Sequence, residues 1–154
     1  MKYIYFFQII LYYISIEMND YKERKERDYQ IGLIRENEVE IYLKTYFNQS
    51  YINKLNRYDK FDYEGDSQIY EIKSRNCSHC KYPSTMVSYS KILYGKNQSK
   101  TPIFIFSFTD GDYYYKYNNN EEFETRNSGR MDRGKNEISL YYFIPIDKLT
   151  KIEK

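Results

Sequence analysis

The chain has one histidine, two cysteines and no tryptophan. The histidine and both cysteines share one tetrapeptide, Cys77-Ser78-His79-Cys80. A structural zinc site needs four ligands, and no second half of one exists elsewhere in the sequence. The cysteines therefore read as two free thiols in a reduced compartment rather than as a disulfide. There are three prolines and no internal repeat, and 154 residues give room for one domain with one core. A net charge of +2 is too small to argue for nucleic acid by itself. No apolar run reaches the ~20 residues of a spanning helix. The nearest is YIYFFQIILYYISI at 3–16, broken only by Gln8 and followed by no small-residue cleavage site. It reads as a membrane anchor or as an extension upstream of a start at Met18. The sequence thus divides into an apolar extension, 1–18, and a single domain, 19–154.

Tyrosine (21) and phenylalanine (9) are abundant. Together with the Ile, Asn and Lys content they fit the bias of an A+T-rich genome, and most tyrosines should line the core boundary. The distribution of charge says more than its sum. From Glu71 to Lys100 six basic residues (Lys73, Arg75, Lys81, Lys91, Lys96, Lys100) face one acid, Glu71. The mixed-sign run YKERKER at 21–27 reads as a solvated helix or linker.

The spacing predicts a helix over 30–48, with Val39, Leu43, Tyr46 and Phe47 on one face. Strand-like pieces follow at SYINKLN, YDKFDYE and QIYEIKSR. KYPSTMVSYSKILYG, with its Ser/Thr cap and terminal Gly95, predicts a helix of about three turns. TPIFIFSF (101–108) predicts a buried strand turned by DGD into YYYKY. Residues 118–137 read as a loop and 138–146 as a last strand. The order predicts a mixed α/β (α+β) sheet flanked by helices.

The stretch KFDYEGDSQIYEIKSRN (60–76) carries the candidate chemistry. Strand residues two apart share a face, so Glu71 and Lys73 point one way while Tyr70 and Ile72 point to the core. With GDSQ as a four-residue hairpin loop, Glu64 opposes Ile69 and Asp62 opposes Glu71, their Cβ atoms about 5 Å apart. Like charges so placed repel, and a divalent cation reverses the sign. Mg²⁺ or Mn²⁺ takes hard oxygen ligands, keeps several waters, and needs only one or two carboxylates. Such an ion acidifies water and neutralises phosphate charge, with Lys73 beside it to stabilise developing negative charge. Asp66 belongs in the turn on its own account, and Asp59 is out of phase with Asp62.

D-x8-E-x-K across a hairpin resembles the PD-(D/E)XK nuclease superfamily, which includes restriction endonucleases and Holliday-junction resolvases. The resemblance covers roughly residues 30–108 and implies a restriction endonuclease-like αβββαβ core. It implies Asp62, Glu71 and Lys73 as catalytic residues, Asp62 and Glu71 also being metal ligands. Its G-x3-E helix motif is matched by Gly32 and Glu36, which makes Glu36 a third catalytic ligand, with Glu38 in reserve. Phe61 stands where the family often has proline. The resemblance further implies a DNA-backbone contact at Lys91. Arg75, Lys81 and Lys96 join it as nucleic-acid contacts.

The implied function is Mg²⁺- or Mn²⁺-dependent hydrolysis of DNA, with RNA as the other substrate, inside a cell (cytoplasm or nucleus) or of viral origin. Double-strand cutting would suggest a homodimer. Two other readings compete. A noncatalytic nucleic-acid-binding module would bind through residues 73–100 without cutting, and a membrane-associated protein would use residues 3–16.

Overall fold

A computed structural model describes the backbone of residues 2–129 and 138–153, and side chains from Met18 onward within them. Helix α1 (Lys2–Tyr46) runs without a break through the mixed-charge segment and into the predicted 30–48 helix. Val39 and Leu43, four residues apart on one face, are fully buried among its described side chains. Asn48, at φ 50°, turns the chain out of the helix, a left-handed position that asparagine tolerates. Among the described residues no helix is long and apolar enough to cross a membrane. The side chains of 3–16, on which the anchor reading depends, lie outside the described residues.

Strands β1 (Ile52–Lys54), β2 (Tyr63–Gly65) and β3 (Gln68–Ser74) form an antiparallel meander. The β2–β3 register pairs Tyr63 with Tyr70 and Glu64 with Ile69, as the hairpin parity predicts. Strand β5 (Thr101–Phe108) lies parallel to β3, with Glu71 beside Phe104 and Lys73 beside Phe106. Strands β6 (Gly111–Lys116) and β9 (Thr150–Lys151) complete the sheet in the order β1-β2-β3-β5-β6-β9. This is the mixed sheet of a restriction endonuclease-like fold.

Two predicted elements differ. Residues 84–88 form a strand, β4 (Ser84–Ser88), and only Tyr89–Lys96 is helical, as α2. Thr85 and Val87 alternate into the core from β4, a period of two that the adjoining helix masked. The expected loop at 118–137 contains β7 (Thr125–Ser128), while residues 130–137 lie outside the described set. Strand β7 is polar, so no apolar face announced it; backbone pairing to β8 (Ser139–Pro145) holds it. Strand β8 also pairs with β4, giving a second sheet, β4-β8-β7.

The large sheet is covered on both faces. Tyr70, Ile72, Ile103 and Ile105 meet Val39 and Leu43 of α1 on one side. Ile69, Phe104, Phe106 and Phe108 meet Ile92 of α2, and Val87, Tyr142 and Ile144 of the small sheet, on the other. Gly95 near the end of α2 lies against the Pro102 ring, and a Cβ there would fall 2.6 Å from Pro102 Cγ. Helix propensity alone would favour alanine by up to about 1 kcal/mol. The proline ring cannot yield, so Gly95→Ala should instead cost about 1–3 kcal/mol in a urea titration. A variant as stable as the parent would contradict this packing.

Candidate active site

Glu71 is wholly buried, on the β3 face that looks toward α2 and the small sheet. The sequence predicted that its face opposes that of Tyr70 and Ile72, and so it does; both faces are covered, however. Its carboxylate lies between two ammonium groups. Lys73 Nζ, from the same strand face, pairs with Oε1, and Lys91 Nζ, from α2, pairs with Oε2. Helix α2 thus turns Lys91 inward, to a carboxylate, where a DNA-backbone contact was expected. Lys91 also lies 5.9 Å from the centroid of the Phe61 ring.

The paired register ends at Tyr63–Tyr70, so Asp62 is not ladder-paired with Glu71, although the two carboxylates are close enough for their charges to act on each other. The ladder is bulged there. The Asp62 N–H donates to the Tyr70 carbonyl at 2.9 Å, and Asp62 Oδ2 accepts the Ile72 N–H at 2.7 Å. A carboxylate thereby replaces a backbone carbonyl as acceptor, which re-aims the side chain toward Glu71. Burial, then the Glu71 charge, push the Asp62 carboxyl up to about 6; the Ile72 N–H, Lys73 and Lys91 offset part of that rise. Burial pulls the Lys73 ammonium down, but Glu71 and Asp62 together outweigh it and leave Lys73 above the usual lysine range. Its side chain remains 35% exposed, against 20% for Lys91 and none for Glu71.

The other predicted residues are placed elsewhere. Glu36 lies on α1, which covers the opposite face of the sheet, and pairs with Lys54 at 3.5 Å. Glu38 pairs with Arg35 at 3.2 Å on the surface. Glu36 is not among the charges that act on Asp62. Arg75 is tied down by three donations: Nε to Thr85 Oγ1 at 3.1 Å, one terminal nitrogen to the Ser74 carbonyl at 3.3 Å, the other to the Met86 carbonyl at 2.5 Å. Lys81 is exposed, 5.4 Å over the Tyr82 ring, and Lys96 is exposed in the last turn of α2.

Two observations bear on a metal. Oε1 of Glu71 is buried with no hydrogen bond made to it, although Lys73 Nζ stands against it as an ion pair. Charge is matched there while the oxygen's directional bonding is not. Among the described residues, no group of three or more His, Cys, Asp or Glu converges to hold a metal. The donor set is therefore Asp62 and Glu71, two hard carboxylates on adjacent strands. Both Glu71 oxygens are paired with ammonium groups and Asp62 Oδ2 with the Ile72 N–H. The set therefore does not fit a fully protein-ligated site, and a small divalent cation that keeps most of its water would have to take the place of an ammonium beside Glu71.

A family model described as "Phage putative PDDEXK endonuclease" matches residues 22–152, well over half of the chain. No curated protein and no solved structure matches it.

Proposed function

The chain belongs to this family of phage PDDEXK endonucleases, and from that premise we propose that it hydrolyses phosphodiester bonds of DNA with Mg²⁺ or Mn²⁺. The observation that carries the reading is a fully buried Glu71 whose charge acts on Asp62 and which has two lysines around it. Burying a carboxylate is costly, and a structural role would be met as well by an apolar residue. Asp62 and Glu71 would hold the cation. Bound there, it supplies neutralising charge at a phosphate oxygen and a lowered pKa for water.

The remaining work belongs to the chain's own groups. Lys73 is the more exposed cation of the cluster, 35% against 20% for Lys91, and so the one a phosphate reaches more readily. Held protonated by its two acidic neighbours, it neutralises a non-bridging oxygen and orients the attacking water. The water oxygen forms the new P–O bond as the bond to the leaving sugar oxygen breaks; of the two protons the water brings, one ends on the leaving oxygen and the other on the new phosphate monoester. Lys91 is a positioning residue: it gives buried Glu71 a counter-charge from α2. DNA is favoured as substrate by the endonuclease family and by the basic stretch from Lys73 to Lys100. Cutting both strands of a duplex would take two copies of the chain.

The test is a titration of Mg²⁺ and Mn²⁺ against labelled single-stranded, duplex and branched DNA, with RNA counterparts. Cleavage of DNA with either cation, and none in EDTA, is the expected result. Salt-dependent binding with no cleavage under either cation would replace this reading with that of a noncatalytic binding module.

A further inference from the structure

Beyond Lys73, the same face of β3 leads into a cavity of about 270 Å³ between the two sheets. Arg75, two residues after Lys73, lines it, as do Phe108 at the end of β5, Thr85 of β4, Phe143 of β8 and Arg126 of β7. It opens at the carboxyl ends of the parallel pair β3 and β5, where open sheets bind ligands. Two residues of extended chain span about 7 Å, so the cavity is the immediate neighbour of the reactive lysine.

Its chemistry is selective. Among the described residues no aspartate or glutamate lines it, whereas two arginines do. Arg75 is largely buried and bonded to two carbonyls and a hydroxyl, with no carboxylate among those partners. A buried cation satisfied by dipoles alone favours an anion nearby. Arg126 lies over Phe143 with its guanidinium carbon 4.0 Å from the ring centroid, and its side chain is 57% exposed. Its surface ion pair with Glu124, at 3.5 Å, is exposed on both sides and weak. The outer face of that guanidinium is a stacking platform. His79, also on the lining, stacks on Tyr113 at 3.8 Å and 7°, and its Nε2 is buried without a hydrogen-bond partner. Tyr82 at the rim is 57% exposed.

Planar side chains, a positive field and, among the described residues, no lining acid describe a site for a nucleobase next to its phosphate. We propose that this cavity receives one unstacked base of the nucleotide adjoining the cleaved phosphate. The substrate is then DNA with an unpaired or flipped nucleotide at that position. This rests on the nuclease reading and narrows its substrate.

The test is an abasic scan, read by binding in EDTA so that it does not depend on catalysis. Single-stranded oligonucleotides carrying one abasic site at successive positions are titrated against the full chain. One position should weaken binding by roughly five- to a hundredfold, the contribution of one stacked base, and Arg126→Ala and Tyr82→Ala should each flatten that dependence. Both side chains are more than half exposed, so folding is preserved. A parent that binds every abasic oligonucleotide equally, or variants that keep the full dependence, would overturn the inference. The nuclease reading fails separately: position-dependent binding without Mg²⁺- or Mn²⁺-dependent cleavage leaves the base site standing alone. Cleavage with a flat scan removes the base site alone.

Discussion

Asp62→Asn should melt about 4–8 °C above the parent at pH 7.5 in metal-free buffer, and should no longer cut DNA. Asparagine keeps an oxygen for the Ile72 N–H and sheds a charge that burial and Glu71 both disfavour. The carboxyl of the folded chain sits at about 6, against 3.8 when unperturbed. A raised carboxyl pKa means the unfolded chain loses its proton first, so ionisation costs stability. That cost is absent below about pH 4, grows between 4 and 6, and is complete above 6. It amounts to roughly 2 kcal/mol after allowance for partial exposure, which gives the expected shift in melting temperature. The advantage of the variant should therefore vanish as the pH falls to 4, in paired thermal melts across that range. A variant less stable than the parent at pH 7.5 would mean that Asp62 is a structural residue. A gain in stability bought with lost activity is the signature of a functional carboxylate.

Glu71→Gln should act in the opposite direction. It strips the counter-charge from Lys73 and Lys91, which are only 35% and 20% exposed. Removing one partner from a buried ionic cluster costs about 3–5 kcal/mol, because the charges left behind remain desolvated. Glu71→Gln/Lys91→Met should recover most of that loss, since it removes the stranded ammonium together with the carboxylate. Chemical denaturation of both single variants and the double variant yields the coupling, expected above about 1.5 kcal/mol. Simple additivity would show that Lys91 does not lean on Glu71. This prediction also sets a condition on activity tests: a Glu71 variant that fails to cut must first be shown to be folded.

The contrast between these two acids shows what could be read from the sequence. Hairpin parity and alternation sufficed to set Glu64 opposite Ile69 and to give Glu71 and Lys73 one face, because strand periodicity is a local property. The apolar run 101–108 was legible for the same reason. Tertiary placement was not. Glu36 has helical spacing suited to an inward position, but only the packing of α1 on the Tyr70 face assigns it to Lys54. Lys91 looked like a surface contact because an eight-residue helix does not reveal which flank meets the sheet. Strand β4 was hidden for a related reason: its partner, Tyr141–Pro145, lies more than fifty residues away. Arg126 had no sequence signal at all, since its role follows from a polar strand that pairs only through backbone.

Lys73→Met gives the most direct test, because it removes the more exposed of the two cations beside Glu71 while keeping its volume and both carboxylates. With Mg²⁺ or Mn²⁺ saturating and equal folded fractions verified by circular dichroism, the initial cleavage rate of the variant should fall by at least about a hundredfold. A variant that cuts at the parental rate would place the chemistry elsewhere in the molecule and contradict the assignment of Asp62, Glu71 and Lys73.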